Sequence, residues 1–291
     1  LSLHDALPIY TKSITFILFQ WNTLNRKLAD KSYFPYTEDK YLQWYHRHPL
    51  IKKIIEENKS DIICLEEVGN YELDFQKKIF EQCSIKYDLI FEFRQGKLMG
   101  NVLGVNKELF NIEKHETLAL NGEEGKSSGQ KIIVDLINEK KGDNKFLVIV
   151  VHLKSKEESE KTRLGQINHL MEYIEQNHLG KYPIFIIGDF NAEPTYSCMV
   201  KFFENKNING KSLFNLNELD FTTFKIRDKL YKRIIDYMFF IGKNKDNSEK
   251  ELIVLETEKA KPIIDEKIGL PNDIFPSDHL FLKAKVELNF I

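Results

Sequence analysis

The chain has 291 residues, of which 42% are hydrophobic and 30% charged, and its formal net charge is −2. This composition supplies enough apolar material for a sizeable core and excludes a wholly disordered protein. The charge counts against a protein that coats nucleic acid non-specifically, although 42 Lys and Arg are enough for a local basic pocket. No apolar stretch approaches the roughly 18–20 residues of a membrane span, so we expect a soluble, intracellular protein.

The cysteines and the first residues of the chain carry little information about function. Cys64, Cys83 and Cys198 are widely spaced and form neither a disulfide framework nor a zinc motif. Residues 1–9 (LSLHDALPI) resemble a translated sequencing adapter, so we expect them to be non-native and residues 10–291 to form a single domain. A native targeting segment would then be missing, and a cytoplasmic location is not distinguished from a mitochondrial one.

The predicted elements alternate between strands and helices along the chain. After a β-rich run at residues 14–20 we predict a helix that starts near Pro49, because proline fits the first turn of a helix. A second and a third helix are predicted at 71–83 and 164–174. The other strands are predicted at 61–68, 87–93, 102–105, 131–137, 146–153, 184–187, 234–241, 252–255 and 280–286. One compact α/β domain, with helices covering packed sheets, is the economical interpretation.

Side chains that bind metals or transfer protons stand where the apolar strands end. They are Asn22, Glu66, Glu67, His152, Asp189, Asn191 and Asp236, with Asp278 and His279 just before the last strand. Strand ends are where rigid scaffolds present catalytic groups. Oxygen ligands from Asn, Asp and Glu suit Mg²⁺, whereas zinc favours more His and Cys. Each residue alone has an ordinary structural explanation, but a carboxylate that ends a buried strand, as Asp189 does, is costly without a cation or donors.

Six short motifs occur in an order that resembles the endonuclease/exonuclease/phosphatase superfamily. They are Trp-Asn-Thr-Leu at 21–24, Cys-Leu-Glu-Glu-Val at 64–68, Val-His-Leu at 151–153, Gly-Asp-Phe-Asn at 188–191, Ile-Asp-Tyr at 235–237 and Ser-Asp-His-Leu at 277–280. The resemblance runs from about residue 14 to the C-terminus. It implies a four-layer α/β sandwich, in which two facing mixed β-sheets are flanked by helices.

Further motifs resemble the nocturnin-like branch of this superfamily, which is related to the mRNA deadenylases. They are His-Leu-Lys-Ser-Lys at 152–156, Asn-Ala-Glu-Pro-Thr at 191–195, Thr-Thr-Phe-Lys-Ile-Arg at 222–227 and Ile-Gly-Leu-Pro at 268–271. The resemblance implies a Mg²⁺-dependent 2′-phosphatase of the dinucleotide NADP(H), with Mn²⁺ as a substitute metal. Two alternatives stay open: a 3′-exoribonuclease that shortens poly(A) with the same metal site, and a catalytically silent scaffold.

The resemblance also implies metal-binding and water-positioning roles. Glu67 would be the main Mg²⁺ ligand, with Asn22 beside it, directly or through water. Asp189 and Asn191 would position the attacking water and the scissile phosphate. Whether the site holds one metal or two is left open.

The two histidines would act on the phosphate itself. His279, oriented by Asp278 or Asp236, would serve as a base or as a substrate stabiliser, and His152 would donate to the phosphate in the transition state. The identity of the general base is left open at this point.

Four cations occupy positions suited to the substrate's phosphates, which an Arg fork or a Lys point charge can bind. They are Arg94, Lys154, Lys156 and Arg227. Two departures from the family pattern also stand out: Glu66 replaces the Gln usual before the metal-binding Glu, and Phe224 stands where Trp is expected. Glu66 adds a carboxylate near the expected site and could alter metal affinity or the pH profile.

Overall fold

A computed structural model describes residues 12–69, 75, 78–93, 99–122, 127–142, 144–243 and 251–290 of the chain. Its α-helices are α1 (Asp39–Leu42), α2 (Trp44–Asn58), α3 (Glu160–Asn177) and α4 (Ser197–Phe203). Its strands are β1 (Lys12–Asn22), β2 (Ile62–Gly69), β3 (Tyr87–Phe93), β4 (Met99–Asn106), β5 (Phe110–Asn121), β6 (Ser127–Glu139), β7 (Lys145–His152), β8 (Ile184–Asp189), β9 (Lys211–Ser212), β10 (Thr223–Ile226), β11 (Leu230–Arg233), β12 (Asp236–Ile241), β13 (Leu252–Lys259) and β14 (Leu282–Phe290). Within those described ranges, no helix is both long enough and apolar enough to cross a membrane.

Most of the strands form two six-stranded sheets. Their orders are β13-β14-β1-β2-β4-β3 and β5-β6-β7-β8-β12-β9, and β10 and β11 form a separate antiparallel hairpin. The pairs β1–β2 and β7–β8 are parallel, while their neighbours in each sheet are antiparallel. The prediction of two mixed sheets is therefore confirmed.

The central strands are apolar on both faces because the middle of each sheet is covered on both sides. Alternate residues of β1 point to opposite faces: Phe16 lies in the core between the sheets, whereas Phe19 packs in the layer under α2 with Ile51. Between the sheets, the rings of Phe16 and Phe146 stack with centroids 5.1 Å apart. Helix α3 covers the outer face of the second sheet with Ile167 and its apolar neighbours. Helix, sheet, sheet and helix make the four layers that the resemblance implied.

Three local predictions need comment. Helix α2 begins at Trp44 rather than near Pro49, which lies inside it. Proline removes the N–H that would donate to the carbonyl of Tyr45, but Tyr45 is 68% exposed, so water can satisfy that carbonyl. Strand β5 was not predicted because most of its side chains are solvent-facing and give no apolar run. The helix predicted at 71–83 falls partly outside the described residues, and among the described ones Phe80–Gln82 form a single 3₁₀ turn.

Strand pairing places the predicted polar residues side by side at one edge of the sandwich. In the first sheet Asn22 pairs with Glu66 across β1 and β2. In the second sheet Asp189 pairs with His152 on one side and with Asp236 on the other. Because parallel neighbours run in the same direction, their carboxyl ends meet at the same edge.

Candidate active site

One oxygen of Asp189 is the point where the polar groups of both sheets converge. Its Oδ2 accepts a hydrogen bond from Nδ2 of Asn22 (3.0 Å) and lies 3.7 Å from Nε2 of His152 and 3.9 Å from Nε2 of His279. The other oxygen, Oδ1, accepts from the backbone N–H of Asn191 (2.8 Å). Burial, followed by the nearby charge of Asp236, raises the pKa of Asp189 to about 7. This carboxyl group can therefore exchange a proton near neutral pH.

His279 is held in one orientation by Asp236. Its Nδ1 lies 3.0 Å from Oδ2 and 3.1 Å from Oδ1 of that carboxylate. Thr222 donates its hydroxyl to Oδ2 of Asp236 (2.7 Å), and Gln20 donates its amide to Oδ1 (3.1 Å). Burial alone would lower the pKa of His279, but the charges of Asp236 and Asp278 outweigh it and raise the pKa to about 10. The imidazole therefore carries a positive charge at neutral pH.

Asp278 is the second acidic neighbour of His279, with Oδ2 4.0 Å from its Nε2. Lys225, on β10, contacts the same oxygen through Nζ at 2.5 Å. Burial would raise the pKa of Asp278, but Lys225 and then His279 outweigh it and lower the pKa to about 2. Asp278 is thus a fixed negative charge beside the imidazole.

Glu66 is fully buried beneath this group. Its Oε2 accepts from Nε2 of Gln20 (2.7 Å), and the same nitrogen bonds Asp236, so one amide bridges two acidic groups. Burial and then the charge of Asp236 raise the pKa of Glu66 well above its ordinary value. The extra carboxyl group of this chain therefore sits inside the site's hydrogen-bond network.

Glu67 occupies a β-bulge on β2. The pairing of β2 with β4 shifts register between Leu65 and Val68, and Glu67 has a positive φ of 57°. Its Oε2 accepts the backbone N–H of Asn25 (3.0 Å), in the turn that follows Asn22. A bulge re-aims a side chain relative to a regular strand, so Glu67 is turned toward that turn while Glu66 stays buried.

The donor set fits a hard divalent cation. Ligand atoms of Asp189, Asp236 and His279 all lie within 4.8 Å of one another. Among the described residues, no other group of three or more His, Cys, Asp or Glu side chains is this close together. Three buried side-chain oxygens nearby, Oε1 of Gln20, Oε1 of Glu66 and Oδ1 of Asp278, have no hydrogen-bond partner in the same ranges. The protonated His279 is not available as a ligand, and the carboxylate and amide oxygens that remain suit Mg²⁺ or Mn²⁺ better than zinc. The assignment of Asn22 and Glu67 as the ligands stays a prediction.

Three of the predicted phosphate-binding cations form what we call the cationic rim: Lys154, Lys156 and Arg227. Lys156 has a 70% exposed side chain and lies 3.7 Å from Glu158, while Arg227 donates through Nε to the carbonyl of Tyr33 (3.0 Å) and lies over its ring. Arg94, the fourth predicted cation, lies outside the described residues. The rim is therefore exposed or half-buried, unlike the acidic group.

Some residues of this site were missed as functional candidates. Gln20, Thr222 and Lys225 contact the acidic side chains directly, and Arg47 bonds the backbone on both sides of the site. Gln20 could have been recognised as a candidate, because it is a polar residue within an otherwise apolar strand. Arg47 gave no such signal, because it precedes the predicted start of the helix near Pro49 and an arginine is normally solvent-exposed.

Comparison with known proteins agrees with this geometry. Residues 19–279 match the model of the Endonuclease/Exonuclease/phosphatase family. Human nocturnin is 29% identical over 91% of this chain, which spans 63% of that relative's length. A yeast CCR4-Not complex 3′-5′-exoribonuclease subunit, Ccr4, from Saccharomyces cerevisiae is 24% identical over 94% of this chain and 39% of its own length.

A solved structure supports the same fold. The human nocturnin catalytic domain with a bound sulfate anion superposes with a TM-score of 0.73 at 23% sequence identity, over 95% of this chain and 96% of that one. The match to the family model covers most of the chain, with five of the six motifs noted above complete and residues 277–279 of the sixth. The chain therefore belongs to the Endonuclease/Exonuclease/phosphatase family of phosphoester-hydrolysing enzymes.

Proposed function

We propose that this chain is a Mg²⁺-dependent hydrolase that removes the 2′-phosphate of NADP(H) and releases NAD(H) and inorganic phosphate. The observation that carries this proposal is the convergence of two imidazoles and an amide on Oδ2 of Asp189. The three donors come from β1, β7 and the segment before β14, so their positions are set by separate parts of the fold. A phosphoryl group at this edge would meet several preorganised donors at once.

His279 acts in this mechanism as a charged donor rather than as a base. Its raised pKa keeps it protonated at neutral pH, and Asp236 occupies its Nδ1, which leaves the Nε2 side directed toward Asp189. His152 presents its Nε2 to the same place from β7. Both imidazoles would stabilise the negative charge that grows on the phosphate oxygens.

We assign the acceptance of the water proton to Asp189. A general base works best when its pKa lies near the operating pH, and burial raises the pKa of Asp189 to about 7. The water gives a proton to Asp189 as its oxygen bonds to phosphorus, the bond from phosphorus to the ribose 2′-oxygen breaks, and that oxygen takes a proton from the imidazolium of His279, which Asp189 then reprotonates. Asn191, which donates its backbone N–H to Asp189, keeps the carboxylate oriented.

The metal would bind where the turn after β1 meets the bulge of β2. Bound Mg²⁺ supplies Lewis-acid stabilisation of the phosphoryl oxygens. We assign Glu67 and Asn22 as its ligands because they match the family motif, and Asn25 fixes one oxygen of Glu67.

The substrate class rests on the cationic rim. NADP(H) carries a pyrophosphate as well as the 2′-phosphate, so it needs cations beyond the reacting centre. Lys154 follows His152 by two residues, and Arg227 lies two residues beyond Lys225, which contacts Asp278. Lys154 and Arg227 therefore each lie two residues from a side chain of the site, where a second phosphate of a dinucleotide would meet a cation.

A second candidate is a 3′-exoribonuclease that shortens poly(A). The similarity to the yeast exoribonuclease subunit favours it, and the metal site would be the same. A nuclease groove also needs aromatic platforms for successive bases, and the rim carries Tyr33 under Arg227. The two candidates differ in the product, so one paired experiment separates them.

The test is phosphate release from NADPH with Mg²⁺, run beside the shortening of labelled poly(A) by the same preparation. We expect phosphate and NADH in equal amounts, no phosphate after chelation, and no activity in Glu67→Ala. Glu258→Ala, an exposed carboxylate paired with Lys283, is the matched control and should keep wild-type activity. Ladder-like shortening of poly(A) without phosphate from NADPH would replace the first candidate by the second.

A further inference from the structure

Arg47 is a buried guanidinium that bonds both polypeptide segments flanking the candidate site. Its side chain, on α2, is 0% exposed. Through Nη2 it donates to the carbonyls of Thr23 and Leu24, and through Nε to the carbonyl of Pro276, each at 2.6 Å. These segments are more than 200 residues apart in the chain, so one side chain ties together distant parts of the sequence.

The two segments are the ones that carry the predicted metal and proton chemistry. Thr23 and Leu24 follow Asn22 directly, and Leu24 has a φ of 56°, a left-handed conformation that a non-glycine residue holds only when its surroundings fix it. Pro276 directly precedes residues 277–279, which contain Asp278 and His279. Arg47 therefore sets the distance between the Asn22 turn and the His279 segment.

Charge supports the same role. Burial lowers the pKa of Arg47 to about 10, and the charges of Asp278 and Glu67 oppose that effect. The guanidinium thus lies within electrostatic range of one carboxylate from each side of the site. Its Nη1 has no hydrogen-bond partner among the described residues. A buried cation with an unpaired N–H is a poor source of stability, so we attribute the role of Arg47 to the placement of the two segments that it bonds.

We propose that Arg47 is a positioning residue that joins the Asn22 turn to the Asp278–His279 segment and so assembles the metal site and the His279 side chain together. This inference rests on the proposed function for the identity of the reaction, but the assembly of the metal site can be measured without turnover. Loss of Arg47 should weaken metal binding and lower kcat, and it should change KM for substrate much less.

Arg163 provides a matched comparison within the same chain. It is also 0% exposed and also donates to three carbonyls, those of Lys154, Lys156 and Glu157. It bonds Glu160 as well, through a carboxylate 3.1 Å from Nη2. These contacts hold the loop of the cationic rim and do not involve the Asn22 turn. Loss of Arg163 should therefore raise KM more than it lowers kcat.

The experiment compares Arg47→Met, Arg47→Lys and Arg163→Met in the full chain. Mn²⁺ binding is measured by calorimetry without substrate, kcat and KM are measured with NADPH, and thermal unfolding is recorded for each variant. For Arg47→Met we expect Mn²⁺ affinity and kcat to fall by about 10–100-fold, the range typical of groups that orient metal ligands. Arg47→Lys should lie between Arg47→Met and wild type. Arg163→Met should leave Mn²⁺ affinity within about 2-fold of wild type, because Arg163 does not bond the segments that carry the assigned metal ligands.

The outcomes separate this inference from the proposed function. Unchanged Mn²⁺ affinity in folded Arg47→Met, or the same kinetic pattern in both Met variants, would overturn the positioning role. If Arg47→Met does not fold, Arg47→Lys decides: wild-type Mn²⁺ affinity there overturns the role. If wild type does not hydrolyse NADPH while Arg47→Met still loses Mn²⁺ affinity, the substrate assignment fails and the positioning role stands.

Discussion

The buried acidic group and the cationic rim serve the same proposed reaction but are built in different ways. Asp189, Asp236 and His279 are almost completely buried, and each is held by hydrogen bonds from other strands or loops. The rim cations lie on loops, where Lys156 pairs with Glu158 and Arg227 packs on Tyr33. Buried groups that are already oriented interact strongly with charge on a substrate, whereas the interactions of exposed cations are screened by water and salt. We therefore expect the two regions to respond very differently to substitution.

Among the substitutions that compare the two regions, the largest effect should come from Asp189→Asn. The amide keeps the shape of the side chain but removes its capacity to accept the water proton, so we expect kcat to fall by about 10³-fold, within the range for general acid–base groups. KM for NADPH should change little, because the rim is intact. The measurement is steady-state phosphate release with saturating Mg²⁺.

The matched control is Asp88→Asn on β3, where the carboxylate is exposed and paired with Lys107. It should retain wild-type kcat. A fall of less than about 10-fold in Asp189→Asn, which is below the usual contribution of a general base, would remove Asp189 from that role.

The contrast between the two regions also explains what the sequence could predict. The polar strand ends were predictable because strand pairing fixes where the ends of β7, β8 and β12 lie, and all three carry motif residues. The two sheets were predictable from apolar runs in the same way. The rim was less predictable, because long side chains on loops choose among competing partners such as Glu158 and Tyr33, which only the tertiary structure reveals.

Contacts across the fold were the main omission. Gln20 bonds Glu66 and Asp236 from another part of the chain, and its role depends on the strand register. Glu66 and Glu67 point in different directions because of a β-bulge, and no local sequence pattern predicts that bulge. Arg47 was missed because only tertiary packing buries it.

The second prediction concerns stability within the buried region. Glu66→Gln replaces a buried acid with the residue usual in the family and should raise the free energy of unfolding near pH 8 by about 1–3 kcal/mol, the cost of an unsatisfied buried polar group. The folded-state pKa of Glu66 is raised, mainly by burial. Wild type therefore gains stability from Glu66 protonation below the ordinary Glu pKa of about 4.3 and loses it as pH rises toward the folded-state pKa.

The advantage of Glu66→Gln should accordingly be small near pH 5 and larger near pH 8. Denaturant unfolding in the presence of a chelator measures it at both pH values. The control is Glu258→Gln, which is exposed and should show no such pH dependence. An advantage of Glu66→Gln that shrinks as pH rises would contradict the raised pKa of Glu66.

The third prediction concerns the rim. Arg227→Ala should raise KM for NADPH by about 10-fold, the size expected for one hydrogen bond to a charged group, and should leave KM for p-nitrophenyl phosphate nearly unchanged. Lys229→Ala is the control, because Lys229 lies on the same hairpin but pairs with Glu157 and is 59% exposed. Equal changes for both substrates would argue against a specific phosphate contact at Arg227.

The smallest effect should come from Lys156→Ala. Its side chain is 70% exposed and its nearest acidic partner, Glu158, is 71% exposed, so the pair contributes little on its own. We expect KM for NADPH to rise about 2-fold at low salt and to match wild type at 0.5 M salt, where charges more than a few ångströms apart are screened. Measuring KM across a salt series tests this. A rise in KM of more than 10-fold that persists at high salt would mean that Lys156 becomes buried against bound substrate. The difference between an exposed rim and a buried acidic group would then hold only before substrate binds.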